Sequence, residues 1–147
     1  MSELLDKVKY EVSIERASSD HRRIVYDVAK VTGGLAGKWF PHGMIAVKNR
    51  FELGGHYHDY DEIFFTPINT FNFRLVDINN FETKKYILHP GSRLLIPKEI
   101  GHVAVCDDSD VRNSSNGLLI SYGNALYNPK RTFPCSEKAL EALAMIK

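Results

Sequence analysis

The stretch "GGHYHDYDE", Gly54 to Glu62, decides how the rest of the chain is read. On an extended backbone successive side chains point to opposite faces, so His56 and His58 share one face and Tyr57 takes the other. Two imidazoles placed this way can reach one ion. Glu62 follows after room for a tight turn through Asp59 to Asp61, and it opens the next apolar run, "EIFFT". Its carboxylate can therefore return beside the histidines. Two nitrogens and one oxygen on one side of an ion, with open positions opposite, suit iron, manganese, nickel or zinc, each able to polarise a substrate. One divalent ion of that set is the expected cofactor.

A second stretch, "HPGSRLLIPKEIGHVAVC", supplies a further nitrogen. Gly91 opens a strand, Pro97 closes it and His102 opens the next. The candidate ligands are thus His56, His58, Glu62 and His102.

Working outward, short runs rich in β-branched and aromatic residues dominate the chain. They are 10–15, 23–31, 43–53, 62–68, 70–78, 84–89, 92–97, 102–106 and 117–123. Gly33-Gly34, Gly54-Gly55, Asn79-Asn80, Pro90-Gly91 and Asn116-Gly117 are turn pairs, and Asp107 to Ser115 reads as an exposed polar loop. Many strands at close spacing predict an all-β barrel or sandwich. One short C-terminal helix follows, capped by Ser136 and carrying Ala139, Leu140 and Leu143 at helical spacing.

The 147 residues suit a single domain, 1–147. A formal net charge of +1 gives no field to hold nucleic acid, so a small molecule is the expected partner. The start, "MSELLDKVKYEV", lacks the cationic and then apolar order of a signal peptide, and no run is long enough to cross a bilayer. A cytoplasmic location is expected, without membrane contact. Cys106 and Cys135 are too few for a disulfide framework; Cys106 shares strand parity with His102 and Ala104, as a small buried hydrophobe would.

The order His56-x-His58-x3-Glu62, then Gly91-x5-Pro97-x4-His102, resembles the paired motifs of the cupin superfamily over roughly residues 40 to 125. That resemblance implies a double-stranded β-helix, the RmlC-like jelly-roll barrel, with a metal held in its mouth. Glu99 stands where the second motif usually carries glycine, and Asn69 with Thr70 replace the glycine expected after the first. Both are turn positions. "GGHYH" with "FNFRLVDINNFETKKYIL" is also similar to the zinc-bearing cupin domain of capsular-polysaccharide and nucleotide-sugar epimerases and reductases, and to cupin-type sugar isomerases.

The implied function is a metal-dependent isomerase or epimerase of a phosphorylated or nucleotide-linked sugar, working by proton transfer next to a carbonyl. A metal-dependent dioxygenase of a small organic substrate and a non-catalytic sugar sensor are the alternatives, as is a metal-free isomerase or epimerase of the same fold whose histidines act as bases, against which the acidic Glu62 weighs. A histidine whose lone pair holds a metal cannot also take the proton, so the base is sought among Tyr60, Asp61, Tyr122 and Tyr127. Lys48, Arg50, Arg74 and Tyr127 are candidates for substrate binding, although cations on alternating strands also occur as solvent-facing residues. Trp39, Phe40 and Met44 are candidates for a homodimer contact.

Overall fold

The computed structural model describes residues 2–11, 16–19, 22–46, 52–107, 117–126 and 128–146. Its strands begin with β1 (Lys9–Glu11), β2 (Arg16–Ser19), β3 (Ile24–Tyr26), β4 (Phe40–Ala46), β5 (Glu52–His58) and β6 (Glu62–Phe65). They continue with β7 (Phe71–Asp77), β8 (Thr83–Leu88), β9 (Arg93–Ile96), β10 (Ile100–Cys106), β11 (Gly117–Gly123) and β12 (Thr132–Pro134), and helix α1 (Glu137–Ala144) follows.

Two five-stranded antiparallel sheets result, ordered β1-β9-β6-β11-β4 and β12-β5-β10-β7-β8, with β2 and β3 forming a separate pair. Successive strands repeatedly change sheet, as β5 to β6 and β9 to β10 do, which is jelly-roll connectivity. The expected all-β fold with one short C-terminal helix is therefore what the chain forms.

Alternation along each strand sorts the side chains. In β7, Phe71, Phe73 and Leu75 are fully buried while Asn72 and Arg74 between them retain solvent contact. The buried set meets Phe64 and Leu94 of the other sheet in one core. Each such Phe or Leu contributes about 1.5–3 kcal/mol through removal from water. Phe65, the neighbour of Phe64, points outward instead and packs with Val31, Ile63 and Tyr122. Helix α1 is capped by Ser136, whose hydroxyl accepts from the Ala139 amide at 3.2 Å. It lays Ala139 and Leu143 on the outer face of the second sheet, against Val76 and Val103.

Several local expectations differ from the structure. Residues 23–31 form not one strand but β3 followed by a 3₁₀ turn, Val28–Thr32, because Asp27 starts the turn by accepting from the Lys30 amide at 2.9 Å. The described ends of the run 43–53 belong to β4 and β5, which lie in different sheets; residues 47–51 lie outside the described residues. Gly54-Gly55 is not a turn: both residues lie inside β5 with positive φ, 109° and 82°, at an irregularity in its pairing with β10. Met44 faces the barrel core rather than a partner subunit. Trp39 lines an open groove on the outer face with Val28 and Ile120. No helix among the described residues is long and apolar enough to cross a membrane.

Candidate metal centre

β5 projects His56 and His58 into the barrel, and β10 brings His102 directly opposite His56. The rings sit 4.8 Å apart for His56 and His102, 4.8 Å for His56 and His58, and 5.6 Å for His58 and His102. One donor atom from each histidine lies within 4.8 Å of the other two. Gly54 makes this approach possible: a Cβ on it would stand 2.4 Å from the His102 carbonyl oxygen. At φ 109° a side chain would also be strained there.

Glu62 reaches the cluster from the opposite sheet, as the first residue of β6. Its Oε1 is 2.8 Å from His58 Nε2 and 3.8 Å from His102 Nε2. Ligands about 2.1 Å from a zinc-like ion lie ~3.0–3.4 Å from one another, so these separations bracket the spacing such an ion needs. The four residues read from the sequence are thus brought together, with Glu62 meeting the histidines through His58 and His102.

The protons follow from the hydrogen bonds. His58 Nδ1 is 3.2 Å from the Arg131 carbonyl oxygen, which can only accept, so Nδ1 carries the hydrogen. Nε2 then faces the Glu62 carboxylate at 2.8 Å. Two lone pairs at that distance repel unless positive charge lies between them, supplied by a proton or by a metal ion. Such outer partners orient ligating histidines in metal sites generally. Glu62 Oε2 accepts from the Ser121 hydroxyl at 2.8 Å. Burial pushes the Glu62 carboxyl upward, but the His58 bond, the neighbouring His102 and His58 charges and the Ser121 bond together outweigh it and hold the group at about 2. Burial, aided by the like charges of His102 and His58, lowers His56 to about 4, and burial likewise lowers His102. At neutral pH the carboxylate is charged and these two imidazoles offer lone pairs, which is the state a metal requires.

The cluster opens into a cavity of about 320 Å³ lined also by Tyr60, Phe64, Leu119 and Thr132. Tyr60 is buried and stacks on His58 at 4.6 Å, with the Arg131 guanidinium 5.1 Å from the same ring. The remaining candidates lie elsewhere. Tyr122 points to the outer face and donates to the Val28 carbonyl at 2.8 Å, so it does not reach the cavity. Arg74 also faces outward, bonding the Leu143 carbonyl at 3.0 Å and Glu52 at 2.5 Å, and thereby ties α1 to the sheet. Asp61 accepts from the Lys98 amide at 2.8 Å and organises a loop. Lys48, Arg50 and Tyr127 lie outside the described residues.

One cavity residue escaped the sequence reading. His42 lines the same cavity from β4. It stands alone in "FPHG", with no partner at ligand spacing, and only the register against β11 reveals its place.

This barrel, with a histidine-rich mouth, has the antiparallel jelly-roll fold. Among solved structures it is similar to a mutant of the 3,4-ketoisomerase QdtA from Thermoanaerobacterium thermosaccharolyticum in complex with TDP-4-keto-6-deoxyglucose, with TM-score 0.69, 13% identity and 99% of each chain covered. A 3,4-ketoisomerase from Helicobacter canadensis gives TM-score 0.67 and 16% identity, covering 94% of this chain and 98% of that one. The dTDP-4-dehydrorhamnose 3,5-epimerase of Bacillus anthracis gives 0.65 and 13%, covering 86% and 77%. At these identities the likeness is one of fold. No protein-family model matches the chain, and the comparison with curated proteins gives no match.

Proposed function

We propose that the chain is a metal-dependent isomerase or epimerase of a nucleotide-linked or phosphorylated sugar. The observation that carries the metal is the convergence of His56, His58 and His102 donor atoms within 4.8 Å, with a buried carboxylate 2.8 Å from one of them. The sugar class is supported by the ketoisomerases and the epimerase that share the fold.

A divalent ion held by His56, His58, His102 and Glu62 supplies charge stabilisation where a carbonyl oxygen turns negative. The chain's own residues do the rest. The Arg131 carbonyl fixes the His58 ring by accepting from Nδ1, and Ser121 fixes the Glu62 carboxylate through Oε2. Tyr60, stacked on His58, closes one side of the cavity, and Phe64 and Leu119 exclude water from its floor. A substrate carbonyl held in this small apolar space meets few competing waters.

The test is metal analysis of protein purified without a polyhistidine tag, joined to solvent deuterium incorporation into a panel of nucleotide-linked and phosphorylated sugars. We expect about one divalent ion per chain and label beside the sugar carbonyl. Exchange that persists in fully chelated protein overturns the metal and passes the chemistry to the His58–Glu62 pair. Oxygen consumption by an iron-loaded sample without sugar exchange replaces the isomerase by a dioxygenase.

A further inference from the structure

We propose that His42 is the base that takes the proton from the carbon beside the sugar carbonyl, an assignment that rests on the isomerase reading above. Three observations place it. In β4, Met44 packs into the barrel core, so His42, two residues earlier, faces the interior as well. His42 pairs directly with Ser121 across β4 and β11, and paired residues project from the same face. Ser121 is the residue whose hydroxyl holds Glu62, so the imidazole lies one strand beyond the carboxylate. Finally, His42 lines the same cavity as the cluster but comes from the first sheet, across from His56, His58 and His102 on β5 and β10.

The position answers a chemical requirement. The three clustered histidines spend their facing lone pairs on the ion and cannot collect a proton. Tyr60 lies flat against His58, and Tyr122 is turned out of the cavity. His42 is half-buried and stands outside the donor cluster of His56, His58 and His102. In the step, the C–H bond next to the carbonyl breaks and its proton joins an imidazole nitrogen of His42. The electron pair becomes the carbon–carbon double bond of an enediolate, whose oxygen carries the negative charge. Isomerisation returns the proton from the imidazolium to the former carbonyl carbon, while the hydroxyl proton passes between the two oxygens. No oxidant or reductant is needed.

The experiment compares the parent protein with His42→Gln, both metal-loaded, for sugar exchange, KM and metal content. We expect kcat to fall at least about 100-fold, KM to stay within about threefold and the ion to remain. A second measurement needs no variant: carbethoxylation of the metal-loaded parent by diethyl pyrocarbonate, mapped by peptide mass. His42 should be modified while His56, His58 and His102 are protected by the ion. Exchange by His42→Gln within threefold of the parent overturns the base assignment alone, and so does an unreactive His42. A metal-loaded parent that exchanges no sugar overturns both this assignment and the isomerase reading.

Discussion

Two levels of one barrel are built by the same strands and differ wholly in chemistry. Along the inward-facing positions, β10 passes from His102 to Ala104 and Cys106, β6 from Glu62 to Phe64, β11 from Ser121 to Leu119, and β4 from His42 to Met44. A single step of two residues, about 6.7 Å of strand, separates a charged cluster from the apolar core. The lower level holds the sheets together; the upper level is carried by them. Polar groups at the upper level are buried too, with His58, Glu62 and His102 about as inaccessible as the core. They are held chiefly by one another and by hydrogen bonds rather than as members of the apolar cluster, so their loss is expected to change chemistry more than stability.

The sharpest way to break this division is to truncate one residue at each level. Phe73→Ala, at a fully buried position, is expected to cost about 3–5 kcal/mol in denaturant unfolding, a large share of a domain's stability. His102→Ala is expected to lose the ion while the metal-free protein still unfolds cooperatively, within a few degrees of the parent. A collapse of both variants would show that the levels are not separable.

Gly54→Ala probes the joint between them. The new Cβ, 2.4 Å from the His102 carbonyl, must displace β10 at the bulge, and we expect a cost of about 1–3 kcal/mol. Metal affinity should fall with it, read by competition with a coloured chelator. Retained affinity would mean that the bulge does not position His102.

Acid separates the levels by protonation. In the unfolded chain His56 takes its proton near 6.5 and in the fold near 4, so between these values the unfolded chain binds more protons and stability falls as pH drops. Glu62 acts in the same direction from 4.5 down to about 2. Chelated protein should therefore show a falling denaturation midpoint from pH 7 to pH 4, and a flat profile would contradict the electrostatics of the cluster. The smallest effect is expected at Glu99, which holds φ 66° on the loop leading to His102. Glu99→Gly relieves that left-handed strain and should stabilise by about 1 kcal/mol, raising the melting point by ~2–4 °C.

That loop shows how sequence and structure meet. Glu99 occupies a position where the cupin pattern carries glycine, and the backbone there keeps the conformation glycine favours, anchored by the Glu99 amide donating to the His58 carbonyl at 2.9 Å. The departure altered the residue and not the turn. By contrast, the Gly54-Gly55 pair carries the composition of a turn and serves as a bulge, since only pairing with β10 distinguishes the two uses. Arg74 could have been placed outward from the sequence, because it sits between Phe73 and Leu75, both core residues. Tyr122 could not, because its strand, "GLLISYG", has apolar residues on both faces.

Spacing along the chain was sufficient for whatever depends on one strand at a time: the alternation that makes a β-barrel, the shared face of His56 and His58, the turn that returns Glu62 and the capped C-terminal helix. Those are properties of backbone periodicity and turn chemistry, which act over a few residues. Which face looks inward, which strands become neighbours and therefore which lone histidine joins the cavity depend on pairings between residues far apart in sequence. His42 beside Ser121, and His58 fixed by the Arg131 carbonyl, exist only once strands far apart in sequence have paired within each sheet, and the shared cavity only once the two sheets have closed on each other.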